Sequence, residues 1–101
     1  MRRGTTPTLT FTTPYTADLI ESGYITFEQR GAIVLDVPLS NKSVEVADNA
    51  ISITLSQEQT LQMTTAAPCE AQIRALLVSG KAVASNIVNI PICAILKEGT
   101  I

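Results

Sequence analysis

The stretch Arg2-Arg3-Gly4-Thr5-Thr6-Pro7-Thr8-Leu9-Thr10-Phe11-Thr12 decides how the rest of the chain is read. Five of the eight residues from Thr5 to Thr12 are threonine, and polar alternates with apolar at the end of the run. A period of two is the signature of a β-strand, with Leu9 and Phe11 on one face and Thr8, Thr10 and Thr12 on the other. The strand is read over about Thr6 to Thr13, ending near Pro14. It begins almost at the first residue, which argues against a leader and puts it at a sheet edge, with Arg2 and Arg3 projecting.

Outward from this run, β-branched residues dominate and turn signals recur at roughly 8–12 residue intervals, the spacing of a sandwich or barrel of short strands. Tyr15 to Glu21 reads as a helical turn with Thr16 as N-cap and Ser22-Gly23 closing it, so that Leu19 and Ile20 cap one end of the core. Tyr24 to Gln29 alternates, with Ile25 and Phe27 inward. Arg30-Gly31 is a tight turn into Ala32 to Val37, where Ile33, Leu35 and Val37 are expected inward and Val34 and Asp36 outward.

Pro38 to Lys42 is a polar loop. Ser43 to Val46 is a short strand, and Asp48-Asn49 turns the chain into Ile51-Ser52-Ile53-Thr54-Leu55, whose apolar residues share one face. Ser56 and Gln59 have capping-box spacing, which predicts one helical turn with Leu61 or Met63 packing back on the sheet. Thr64 to Pro68 is a loop. Cys69 to Val78 puts Ala71, Ile73, Ala75 and Leu77 on one face and Glu70, Gln72 and Arg74 on the other.

Ser79-Gly80 leads into a last strand read from Lys81 to about Leu96. In it Val88, Ile90, Ile92 and Ala94 share one face, while Ile87, Cys93 and Ile95 lie opposite. Pro91 donates nothing to a ladder, so this stretch belongs at an edge, bulge or bend. Its register stays open, because a slip of one residue exchanges Asn86 and Ile87 between faces. Lys97 to Ile101 reads as a loose tail, and residues 1–101 as a single domain.

Composition bounds the function. Hydrophobic residues make up 46% of the 101 residues but aromatics only 4%, so one core is built from Ile, Val, Leu and Ala around Phe11 and Phe27. Stability is expected to be ordinary or modest. The net charge of −2 and scattered basic residues argue against nucleic-acid binding, which needs clustered Lys and Arg. Tyr15, Tyr24, Phe11 and Phe27 are too few for base-stacking platforms. No apolar run reaches the roughly 18 residues of a membrane helix. Cys69 and Cys93 read as buried free thiols, with a disulfide open only if the fold brings their Cα atoms within about 7 Å.

The chain has no histidine, which removes Ser-His-Asp and Cys-His nucleophiles and the usual zinc ligand sets. Gly4, Gly23, Gly31, Gly80 and Gly99 each stand alone, so there is no phosphate-cradling loop. Glu28 and Asp36 lie on the two arms of one hairpin but read as solvated carboxylates. No enzyme, cofactor, metal or small-molecule substrate is expected.

Several segments resemble a group of short phage and prophage proteins of Gram-positive bacteria. They are the start Met1 to Phe11, Ile25-Thr26-Phe27-Glu28-Gln29, Ile51 to Thr60, Glu70-Ala71-Gln72-Ile73-Arg74 and Gly80 to Val88. The order is similar to the Ig-like N-terminal domain of phage baseplate upper proteins. The resemblance implies an Ig-like antiparallel β-sandwich of about seven or eight short strands with one or two helical turns. It also implies a non-enzymatic virion structural or assembly protein of the head, neck, tail or baseplate, made in the host cytoplasm. Its partners would be other virion proteins and further copies of itself. It assigns no functional residue.

From the residues themselves, Arg2, Arg3, Ile87 and Ile95 are the candidate protein-interface positions: a basic pair and the outward face of a doubly apolar strand. The other reading of that strand buries both faces. The alternative function is a soluble Ig-like module that recognises a host-surface carbohydrate or protein through loops such as Pro38–Lys42 or Thr64–Pro68.

Overall fold

Arg30 and Gly31 both take positive φ, 53° and 78°, in the computed structural model, which describes residues 1–101. Two central residues with positive φ match the right-handed twist of the strands they join. They connect β2 (Ile20–Gln29) to β3 (Ala32–Pro38) as an antiparallel hairpin. The other strands are β1 (Thr8–Thr12), β4 (Val44–Ala47), β5 (Ala50–Thr54), β6 (Cys69–Leu77), β7 (Ala82–Ala84) and β8 (Val88–Ile90). A 3-10 turn at Ala17–Leu19 and helix α1 (Gln57–Leu61) complete the elements.

The strands form two antiparallel sheets, a three-stranded one in the order β1-β5-β4 and a five-stranded one in the order β3-β2-β6-β7, with β8 also on β6. In immunoglobulin lettering these orders are B-E-D and C′-C-F-G, so the connectivity is that of an Ig-like sandwich without its first strand. The Cα envelope of 47 × 26 × 16 Å is a slab two sheets thick. Ile25 and Phe27 of β2, Ile51 and Ile53 of β5, and Cys69, Ala71 and Ile73 of β6 meet between the sheets, closed at one end by Leu55 and Met63. Full burial of a side chain such as Phe27 contributes about 1.5–3 kcal/mol.

Local chemistry explains the remaining elements. Ser56 Oγ accepts from Gln59 N–H at 3.1 Å and Gln59 Oε1 accepts from Ser56 N–H at 2.9 Å, which is the expected capping box. Met63 packs into the core while Leu61 is only partly covered. Leu9 and Phe11 pack inward from β1, and Thr8, Thr10 and Thr12 face out, on an edge strand as expected.

Several expectations are corrected. Ser22-Gly23 does not end a turn: both residues lie inside β2, next to a bulge opposite Leu76–Leu77. A Cβ on Gly23 would sit 2.3 Å from Arg74 O, so close backbone approach is what requires glycine there. Ile33 points outward, because a bulge between Phe27 and Glu28 inserts Val34 and reverses the alternation. Leu19 is exposed, and only Ile20 packs on the core.

The last correction concerns Lys81 to Leu96, which is broken into β7 and β8 lying end to end along β6. At the break, Ser85 N–H donates to Ile73 O at 2.8 Å and Ser85 Oγ accepts from Ile73 N–H at 3.0 Å. A hydroxyl thus replaces a carbonyl in the ladder, and the extra residue shifts the register by one. Beyond it Val88 and Ile90 pair with Ala71 and Cys69, and Ile92 is buried. Cys93 is exposed rather than buried, and both thiols are free.

Candidate interaction surface

The four sequence-predicted interface residues divide into two places. Arg2 and Cys93 form a parallel bridge, and Arg3 N–H donates to Cys93 O at 3.1 Å, so the first residues run beside the segment after β8. Ile95 folds over Gly4, where its Cδ1 lies 2.8 Å from the position a Cβ would take. Ile87 sits apart from these, in the break between β7 and β8, and is 54% exposed.

Arg3 does not project. Its Nε donates to Met63 O at 2.7 Å, its Nη2 to Leu61 O at 2.9 Å, and its Nη1 to Glu98 Oε1 at 2.5 Å. The guanidinium fork therefore satisfies carbonyls at the end of α1, where cations are favoured. Arg2 Nη1 reaches Ala94 O at 2.5 Å from an exposed position. The tail is tethered too: Glu98 pairs with Arg3, and Ile101 N–H donates to Gln57 Oε1 at 2.8 Å.

A different surface gathers exposed apolar side chains. Tyr24 is 53% exposed, Ile33 64% and Leu76 38%, and all three line one shallow hollow on the outer face of the five-stranded sheet. The register shows how they are placed. Tyr24 lies between Pro38 and Arg74, and Leu76 opposite Ser22 and Ala82. Ile33 stands opposite Glu28, which in turn pairs with Glu70. The face thus has a half in which Tyr24 and Leu76 flank the exposed Arg74, and an acidic half around Ile33.

Asp36 belongs to the acidic half, but its cross-strand partner is Thr26, whose Oγ1 donates to Asp36 Oδ1 at 2.8 Å. Glu28 and Asp36 share this face without being opposite each other. Comparison with family models, curated proteins and solved structures found no match.

The sequence reading missed this face for a definite reason. Alternation with Ile25 and Phe27 puts Tyr24 outward, but the alternation of Ile33 with Leu35 and Val37 puts Ile33 in the core. The bulge at Val34 is what turns Ile33 onto the same face as Tyr24. No helix is long and apolar enough to cross a membrane.

Proposed function

We propose that the chain is a non-enzymatic structural or assembly protein of a phage or prophage virion, acting through protein–protein contacts. The observation that supports contact with a partner is the outer face of the five-stranded sheet, where Tyr24, Ile33 and Leu76 stay exposed beside Glu28, Asp36 and Glu70. Burying such side chains is favourable, and a rim of Glu28, Asp36 and Glu70 on one side and Arg74 on the other favours a partner whose charges complement both around an apolar centre. The phage context is supported by the resemblance of Met1–Phe11, Ile51–Thr60 and Gly80–Val88 to short phage proteins. On this reading the chain is made in the host cytoplasm and ends in the particle.

The test is mass spectrometry of purified particles from a producing strain, alongside a binding assay of the purified chain on host cells. Several copies per particle and no cell binding fit an assembly role. Absence from particles together with saturable cell binding would replace it with the host-surface recognition module.

A further inference from the structure

We propose that β1 pairs edge to edge with β1 of a second copy of this chain, antiparallel and centred on Thr10. The inference goes beyond the proposed role and holds whether or not the chain is a virion component.

The backbone of β1 leaves half its groups unpaired. Pro7 O accepts from Leu55 N–H at 3.0 Å and Thr13 N–H donates to Asn49 O at 2.9 Å. In an antiparallel ladder, hydrogen-bonded positions alternate. The odd residues from Pro7 to Thr13 therefore face β5, and the N–H and C=O of Thr8, Thr10 and Thr12 point away from it. No third strand lies on that side. A hollow of about 410 Å³ instead runs along Leu9–Thr12, bounded across the slot by Ser85, Asn86, Val88 and Ile90.

Three of the sheet edges carry devices that discourage pairing, and β1 carries none. The β3 edge has a bulge, Asp36 and Pro38. The β4 edge has Glu45 in a four-residue strand. The edge made by β7 and β8 is broken at Ser85. By contrast β1 is Thr-Leu-Thr-Phe-Thr, uncharged and in unbroken register with β5.

The strand is also its own complement. A twofold axis at Thr10 sets Thr10 against Thr10 and Thr8 against Thr12, while Leu9 meets Phe11 on the inner face. Each threonine pair exchanges two backbone bonds, about six in all. The outer hydroxyl rows already begun by Thr8 with Thr54 (2.9 Å) and Thr10 with Ser52 (3.0 Å) would continue across the axis. The result is a six-stranded sheet in which Leu9 and Phe11 of one copy also cover Val88, otherwise exposed, of the other.

Light scattering over a concentration series, with amide exchange followed by NMR, tests this. The expected mass at high concentration is twice 10.8 kDa, with the Thr8, Thr10 and Thr12 amides becoming protected as the dimer forms. Thr10→Lys and Thr10→Pro should each raise the dimer dissociation constant by at least about ten-fold, with unchanged circular dichroism, and Glu45→Lys on β4 should leave it unaltered. A monomer at every concentration with those three amides exchanging freely would overturn the proposal. So would a dimer that persists in Thr10→Lys.

Discussion

Gln29 holds Thr64 from both sides: its Nε2 donates to Thr64 O at 2.8 Å and its Oε1 accepts from Thr64 N–H at 3.0 Å. The same Nε2 reaches Ala67 O at 2.9 Å. Gln29 is buried at the end of the inward row that begins with Ile25 and Phe27, so one amide folds the 64–67 loop against the sandwich. Gln29→Leu keeps the volume but orphans these backbone groups. It should cost about 2–3 kcal/mol in urea unfolding, with faster amide exchange at Thr64.

Gly23 carries the sharpest steric demand in the structure. Alanine there would put a Cβ 2.3 Å from Arg74 O and 2.9 Å from Leu39 Cδ1. The backbone of β2 or β6 must move, so Gly23→Ala should destabilise by about 2–4 kcal/mol. Gly80→Ala meets no atom within 4 Å, and should cost only about 1–2 kcal/mol for its positive φ. Thermal unfolding of the two variants separates a clash from a conformational preference.

Arg3 contributes to the fold more than to a free surface. Arg3→Ala removes donors from Leu61 O and Met63 O and should cost about 1.5–3 kcal/mol. Glu98 is 64% exposed, so Glu98→Ala should change stability by less than about 0.5 kcal/mol. Equal, small effects in urea titration would return Arg3 to the list of surface residues.

The two thiols should behave oppositely. Cys93 is exposed and Cys69 buried, so a thiol reagent should modify one cysteine in the native protein and both in denaturant. Burial pushes the Cys69 thiol above its ordinary 9.0, Glu28's backbone hydrogen bond partly opposes the rise, and the Glu70 carboxylate adds to it. At pH above 9.0 the unfolded thiol loses its proton while the folded one keeps it. The stability is therefore complete below that pH and declines as pH rises through the folded value. Cys69→Ala should flatten this alkaline decline in unfolding measured across pH.

How much was legible in the sequence follows from how local each feature is. Leu9 and Phe11, Ile51 and Ile53, and the Ser56–Gln59 cap are set by neighbours a few residues away, and each was read correctly. Arg30-Gly31 was legible because a two-residue turn with positive φ has few sequence solutions. Ile33 lies outside the core because one bulge residue, Val34, puts it out of phase with Leu35 and Val37, which do face inward, and no local signal marks the bulge. Ser85 broke the last strand for the same reason. The bridge between Arg2 and Cys93 joins the two ends of the chain, and nothing near either residue announces the other. The exposed face around Tyr24 therefore depended on a register that only the fold supplies.

On the proposed function, the face around Tyr24 and Ile33 makes the contacts through which the chain works. The most direct measurement is the copy number of Tyr24→Glu and Ile33→Asp variants in purified particles, relative to wild type expressed at the same soluble level. A loss of incorporation of at least about ten-fold is expected, with unchanged unfolding midpoints. Wild-type incorporation of both folded variants would contradict it.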